Sequence, residues 1–261
     1  MTASHSTPLY DMHCHLDFFE DPAGAAAELA AKGVAALSAT VTPTGFERAA
    51  RELAGAANVR VGVGLHPWWV ADGRCGEDDV ALAARLATSA RFVAEVGLDF
   101  AHGRDAARAA QLDALDRVLA ACEGGGHVLS LHAVRAGGEL LDLLDRHGTC
   151  EDNVVILHWF SGSGDELVRA VRMGCHFSVG SRMLATRRGR AYAQQVPLDR
   201  LLLETDLPAS PEDGTALSPA ELAAQLRSAL EALVTLRGPD VAARIAATSR
   251  TLAASRTYSP S

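Results

Sequence analysis

Two hydrophobic periods alternate along the chain. Short runs rich in Val, Leu and Ile read as strands over Leu9–His13, Gly33–Thr40, Val59–His66, Arg91–Leu98, His127–Ala133, Asn153–Phe160, Cys175–Gly180 and Arg200–Asp206. Between them lie Ala- and Leu-rich stretches with helical character: Pro22–Ala31, Gly45–Ala56, Asp78–Ala87, Asp105–Cys122, Gly138–His147, Asp165–Met173 and Arg187–Gln195. Gly33, Gly148 and Gly174 stand where helices end, and Ser218-Pro219-Ala220-Glu221 is a capping box that opens a helix over Pro219–Leu236. A last helix, Pro239–Ala254, follows the Gly238-Pro239 break. Strands alternating with helices in this way predict an α/β chain: a single (β/α)8 TIM barrel. No repeat or linker divides the chain, so one domain is expected over residues 1–261, with an ordered core from about residue 9 to residue 254.

The polar residues inside these runs sit at one end of them. The first strand finishes in His13-Cys14-His15, and alternation of side chains puts both imidazoles on one face. The third ends at His66, the fourth carries Glu95, the fifth His132, the sixth His158, and the eighth runs into Glu204-Thr205-Asp206. In a parallel barrel all these ends meet at one mouth, the C-terminal face of the strands. Imidazoles and carboxylates meeting there form a candidate site for divalent metal: Mg, Mn, Zn or a related ion. A glutamate inside the apolar run Val93-Ala94-Glu95-Val96 is costly to bury unless it is paired or bound to a cation. For Glu204, a direct ligand and a hydrogen-bond acceptor behind the ligands are both open readings. Cys14 faces away from the two histidines and belongs to the core.

Composition narrows the classes. The chain of 261 residues is 48% hydrophobic, enough for a large core, and its formal charge of -8 excludes a nonspecific basic coat for nucleic acid. It does not exclude a nuclease, because bound cations reverse the local sign of an acidic site. The five cysteines form no CxxC pair and suit a reducing compartment; no leader or apolar span is evident, so a cytoplasmic location is expected and no membrane association. Lys32 is the only lysine and lies at the end of the first helix, which excludes metal bridging by a carbamylated lysine.

Taken together, Asp11-Met12-His13-Cys14-His15, Gly64-Leu65-His66-Pro67, Glu95 with Gly97-Leu98-Asp99-Phe100, His158-Trp159-Phe160-Ser161-Gly162 and Glu204-Thr205-Asp206-Leu207-Pro208 resemble the TatD family of metal-dependent deoxyribonucleases. The resemblance covers Tyr10 to Pro208 in order. It implies an amidohydrolase-like barrel that holds two divalent metals, activates water between them and cleaves phosphodiester bonds of DNA in an exonuclease-like manner. It gives His13, His15 and Asp206 to one metal, makes Glu95 the bridge, and gives His132 and His158 to the second. It places His66 on the scissile phosphate or leaving oxygen, and Asp206 beside the nucleophile as its base. Arg135, displaced from its expected place directly after His132, and Arg182 are the phosphate-binding candidates. Trp68 and Trp159 are candidates for stacking on a base. The stretches around Leu37–Pro43 and His158–Ser163 are also similar to TatD-type members of the bacterial Qat anti-phage operon, which makes a metal-binding component of such a complex an alternative. The other alternative is a lactonase, amidase or deaminase on the same barrel.

Overall fold

The computed structural model describes residues 8–254. Eight parallel strands form one sheet in sequence order. They are β1 (Leu9–Cys14), β2 (Val34–Ala39), β3 (Val59–Leu65), β4 (Phe92–Asp99), β5 (Val128–Val134), β6 (Val154–His158), β7 (His176–Val179) and β8 (Leu201–Leu203). All eight expected strands are present, and the barrel is the expected one. The expectations for the terminal tails lie outside the described residues.

Parallel strands are covered on both faces, which is why they read as unbroken apolar runs rather than as strict alternation. All eight residues of β4 are buried. One large core cluster joins the outer faces of the strands to the helices. A smaller one, made of Met12, Leu37, Ala39, Phe92, Ala94, Val128, Ile156, Leu202 and Leu252, is built almost wholly from strand residues and fills the barrel interior.

Two seams fix the height of the site. At the first, β3 carries Gly62 and Gly64. A Cβ on Gly64 would lie 1.5 Å from the Thr40 carbonyl oxygen, and one on Gly62 would lie 2.7 Å from the Ala94 Cβ. The missing side chains let the end of β2 bond straight to β4: Thr40 N–H donates to Ala94 O at 2.8 Å and Glu95 N–H to Thr40 O at 2.9 Å. At the second, β8 closes on β1. Asp206 N–H donates to His13 O and His15 N–H to Leu207 O, both at 2.9 Å. The buried Asp11 carboxylate accepts from Thr205 N–H at 3.0 Å and from its hydroxyl at 2.5 Å. Burial pushes the Asp11 carboxyl up to about 7 despite these bonds.

Strands β1 and β4 each slip register at the level of the site. Asp11 to Cys14 of β1 faces Ala36 to Ser38 of β2, and Val93 to Val96 of β4 faces Leu129 to Leu131 of β5. The extra residue re-aims the next side chains, as bulges beside active sites do. Simple alternation therefore holds from His13 to His15 but not from Asp11 to His13.

The helices differ from expectation mainly in number. The second starts at Pro43, capped by Thr42, and stops at Glu52, not at Ala56. Four short helices went unread: Pro67–Ala71, Thr149–Asp152, Ser181–Ala185 and Pro211–Gly214. Each is five residues or fewer, too short to show a helical period. Three of them, all but Thr149–Asp152, follow the C-terminal ends of strands, so they shape the mouth. No helix among the described residues is long and apolar enough to cross a membrane.

Candidate metal centre

Seven side chains converge at the mouth. Glu95 is at the centre, 2% exposed. Its Oε1 lies 2.7 Å from both His132 Nδ1 and His158 Nε2, and those two nitrogens are 3.3 Å apart. Its Oε2 lies 3.6 Å from His13 Nε2, 3.7 Å from His15 Nε2 and 3.3 Å from His66 Nε2. Asp206 Oδ1 completes the other side, 3.4 Å from His15 Nε2 and 3.9 Å from His13 Nε2. Three overlapping sets are close enough to share an ion: His13, His15 and Asp206; His13, Glu95 and His158; His66, Glu95 and His132.

Hydrogen bonds behind the rings decide which nitrogens offer a lone pair. His15 Nδ1 lies 3.1 Å from Ala39 O. A carbonyl only accepts, so Nδ1 carries the proton and Nε2 is free to ligate. His66 is the reverse. Its Nδ1 accepts the Trp68 N–H at 3.1 Å, so in the neutral ring Nε2 carries the proton and points a donor at Glu95. His13 Nδ1 sits 2.7 Å from Ser130 Oγ, while its Nε2 is buried without a hydrogen-bond partner. Such an orphan aimed into a ring of acids and imidazoles fits an ion that these residues would hold. His132 is gripped from both sides, with Nε2 3.3 Å from Asp99 Oδ2.

The charges are mutually dependent. Burial opposes ionisation of Glu95, yet the surrounding imidazoles hold its carboxyl well below the usual range. Asp206 is held down to about 2, its burial outweighed by His15, His158 and His13. Burial alone would lower the imidazoles, but Asp206 and Glu95 raise His15 to about 9, and Asp99 and Glu95 raise His132 to about 9. Burial and neighbouring His158 lower His13 to about 4. The two carboxylates thus favour positive charge between them, and the donor set suits a divalent ion.

Glu204 is occupied elsewhere. It accepts from Ser178 Oγ at 2.5 Å and Trp159 N–H at 2.9 Å, with His158 Nδ1 at 3.8 Å. Burial, then Asp206, pushes its carboxyl well above the usual value. Of the two readings open from sequence, the acceptor behind the ligands fits. Trp159, whose N–H bonds Glu204, and Asp206, whose N–H bonds His13 O, adopt φ of 38° and 54°, left-handed conformations.

The cage opens into a cavity of about 810 Å³ bordered by His15, His66, Trp68, Trp159, Arg182 and Asp206, among others. Arg182 donates to Asp206 O at 3.1 Å and lies 4.6 Å from the Trp159 ring centroid. Arg135 does not join it. It is exposed, with φ 53°, and the cavity wall passes from Val134 to His158 without it. Sequence reasoning passed over Arg74, which borders the cavity, and Asp99, which accepts from Arg104 at 3.2 Å and from the indole N–H of Trp68. Asp99 had a legible signal: it shares alternation with Glu95 on the same strand.

A parallel barrel that gathers imidazoles and carboxylates at its strand ends defines a metal-dependent hydrolase. The chain belongs to the TatD-related DNase family, whose model matches residues 10–253. It is similar to an uncharacterized metal-dependent hydrolase of Escherichia coli K12, YjjV, 33% identical over 213 residues that cover 78% of this chain and 81% of that protein. The YjjV crystal structure superposes with a TM-score of 0.77 at 25% identity, over 97% of this chain and 98% of its own. Human deoxyribonuclease TATDN3 is 29% identical over 220 residues, 77% of this chain and 78% of that protein. The 3'-5' ssDNA/RNA exonuclease TatD of Edwardsiella piscicida is 35% identical over 120 residues, 44% of this chain and 45% of that protein.

Proposed function

We propose that the protein hydrolyses phosphodiester bonds of DNA, removing nucleotides from a strand end, with two divalent ions of the Mg, Mn or Zn kind. The observation that carries this is the position of Glu95, one oxygen against His132 and His158 and the other against His13 and His15. His13, His15 and Asp206 would hold one ion, and His132 and His158 the other, with Glu95 between them. The ions supply Lewis acidity, a lowered pKa for water and charge neutralisation at the phosphoryl group. The names of the family and of its TatD and TATDN3 members point to a nucleic-acid substrate.

The chain's own groups have separate tasks. His66 presents its Nε2–H to a phosphoryl or leaving oxygen, where a fixed donor offsets developing charge. Of the two cage carboxylates that border the cavity, Asp206 is the more open, its side chain 22% exposed against 3% for Glu95. It takes the proton of the attacking water. Arg182, against Asp206 and Trp159, offers its guanidinium to a neighbouring phosphate. Arg135, exposed and outside the cavity lining, keeps only a peripheral part in binding. Free thiols at all five cysteines fit the reducing cytoplasm.

The test is a substrate panel with Mn: end-labelled single-stranded DNA, a nitrophenyl phosphodiester and a set of lactones. Cleavage of the first two, abolished by chelation while circular dichroism stays native, is the expected result. Lactone hydrolysis with no phosphodiester cleavage would overturn the assignment, and so would activity that survives thorough chelation.

A further inference from the structure

The catalytic cavity does not end at the cage. A second cavity of about 470 Å³ lies beyond Trp68, and both Trp68 and Arg74 border the two. Trp68 is 41% exposed; among the described residues only Val168 is another large hydrophobic so open to solvent. The other tryptophans are used differently. Trp69 and Trp159 are half-buried and pack against the main core.

Trp68 is exposed but held. It stands in the first turn of the helix Pro67–Ala71, whose cap is His66. Its indole N–H donates to Asp99, and the Arg104 guanidinium lies 4.6 Å from its ring centroid. Its ring centroid is 4.9 Å from that of His66 and 6.2 Å from that of His132. The platform is therefore fixed next to the residue placed on the scissile phosphate.

The lining discriminates between parts of a nucleotide. Arg74 is paired with Asp72 at 2.7 Å and Arg104 with Asp99 at 3.2 Å. The cations are matched by acids, so the cavity holds little net attraction for another phosphate. What remains is a partly exposed indole with the Arg104 guanidinium over one face, which leaves the other face as a surface on which a heteroaromatic ring can stack.

We propose that Trp68 and the cavity behind it form a nucleobase subsite, seating the base adjacent to the phosphodiester that is cut. This rests on the nuclease reading above. It makes Trp68 a specificity-determining residue, which favours a strand with unstacked bases over a base-free ester.

The experiment compares wild type, Trp68→Leu and Trp68→Phe on oligothymidylate and on methyl p-nitrophenyl phosphate, with Mn. Binding of labelled oligothymidylate is also measured by anisotropy in the presence of a chelator, so that no turnover intervenes. Loss of one stacked base predicts that Trp68→Leu weakens metal-free binding about 10-fold or more, and lowers kcat/KM for the oligonucleotide by about that factor more than for the ester. Trp68→Phe keeps a stacking face while losing the N–H to Asp99, so it restores most of the oligonucleotide preference. Equal losses on the two substrates, unchanged oligonucleotide binding, or a phenylalanine variant as defective as the leucine one overturns the subsite. A wild type that cleaves no oligonucleotide refutes the nuclease reading itself, whatever the variants do.

Discussion

His66 provides the sharpest test of roles at the mouth, because distance alone groups it with Glu95 and His132 as a possible ligand while its hydrogen bonding makes it a donor. In His66→Ala two things disappear. One is the acceptor for Trp68 N–H at the start of the helix Pro67–Ala71. Losing such a cap costs about 1 kcal/mol, which for a barrel of this size lowers Tm by about 2–4 °C. The other is the Nε2–H, 3.3 Å from Glu95 Oε2, which the proposed mechanism gives to the reacting oxygens. Removing one positioned donor of this kind costs about 2.7–4 kcal/mol of transition-state stabilisation, a fall of roughly 10²–10³ in kcat. The metal centre keeps every lone pair assigned to it, so Mn stoichiometry and affinity by titration calorimetry remain as in the wild type. His15→Ala, which removes a lone pair fixed by Ala39 O, loses affinity in the same titration. A drop in Mn stoichiometry for His66→Ala would show that the ring ligates, and the tautomer argument would be wrong. An unchanged kcat would remove its role in the reaction.

Two further outcomes follow from the same geometry. Asp206→Asn keeps the size and one acceptor oxygen but not the basicity, so turnover falls about 10²-fold or more while circular dichroism stays native; near-wild-type turnover would contradict its role as base. His176, away from the mouth at the start of β7, is lowered to about 4 by burial and then by Arg200, against 6.5 when unfolded. Between those values the unfolded chain binds a proton that the folded chain refuses, so stability present above pH 6.5 is lost as pH falls toward 4. Urea melts of chelated protein are expected to show wild type losing about 1–2 kcal/mol relative to His176→Asn between pH 7 and pH 5. A constant difference between the two proteins across that range would refute the account.

The linear pattern of the chain determined the barrel and the composition of its mouth. Parallel strands must be apolar on both faces, so Arg91–Leu98 or Asn153–Phe160 stands out against the helical stretches, and an imidazole or carboxylate at the end of such a run is conspicuous. Hence His13, His15, Glu95, His132, His158 and Asp206 were legible before any coordinates, and so was the absence of a lysine bridge. Tertiary structure decided what depends on partners remote in sequence. The tautomers of His15 and His66 are set by one carbonyl and one amide, Glu204 is taken by Ser178 and Trp159, and Arg135 stays outside the cavity lining while Arg74 and Asp99 are brought in. The slipped registers of β1 and β4, and the contact of Thr40 with Ala94 across two glycines, come from strand meeting strand. Periodicity records which face a residue takes, but a hydrogen bond between distant segments exists only once the sheet has closed.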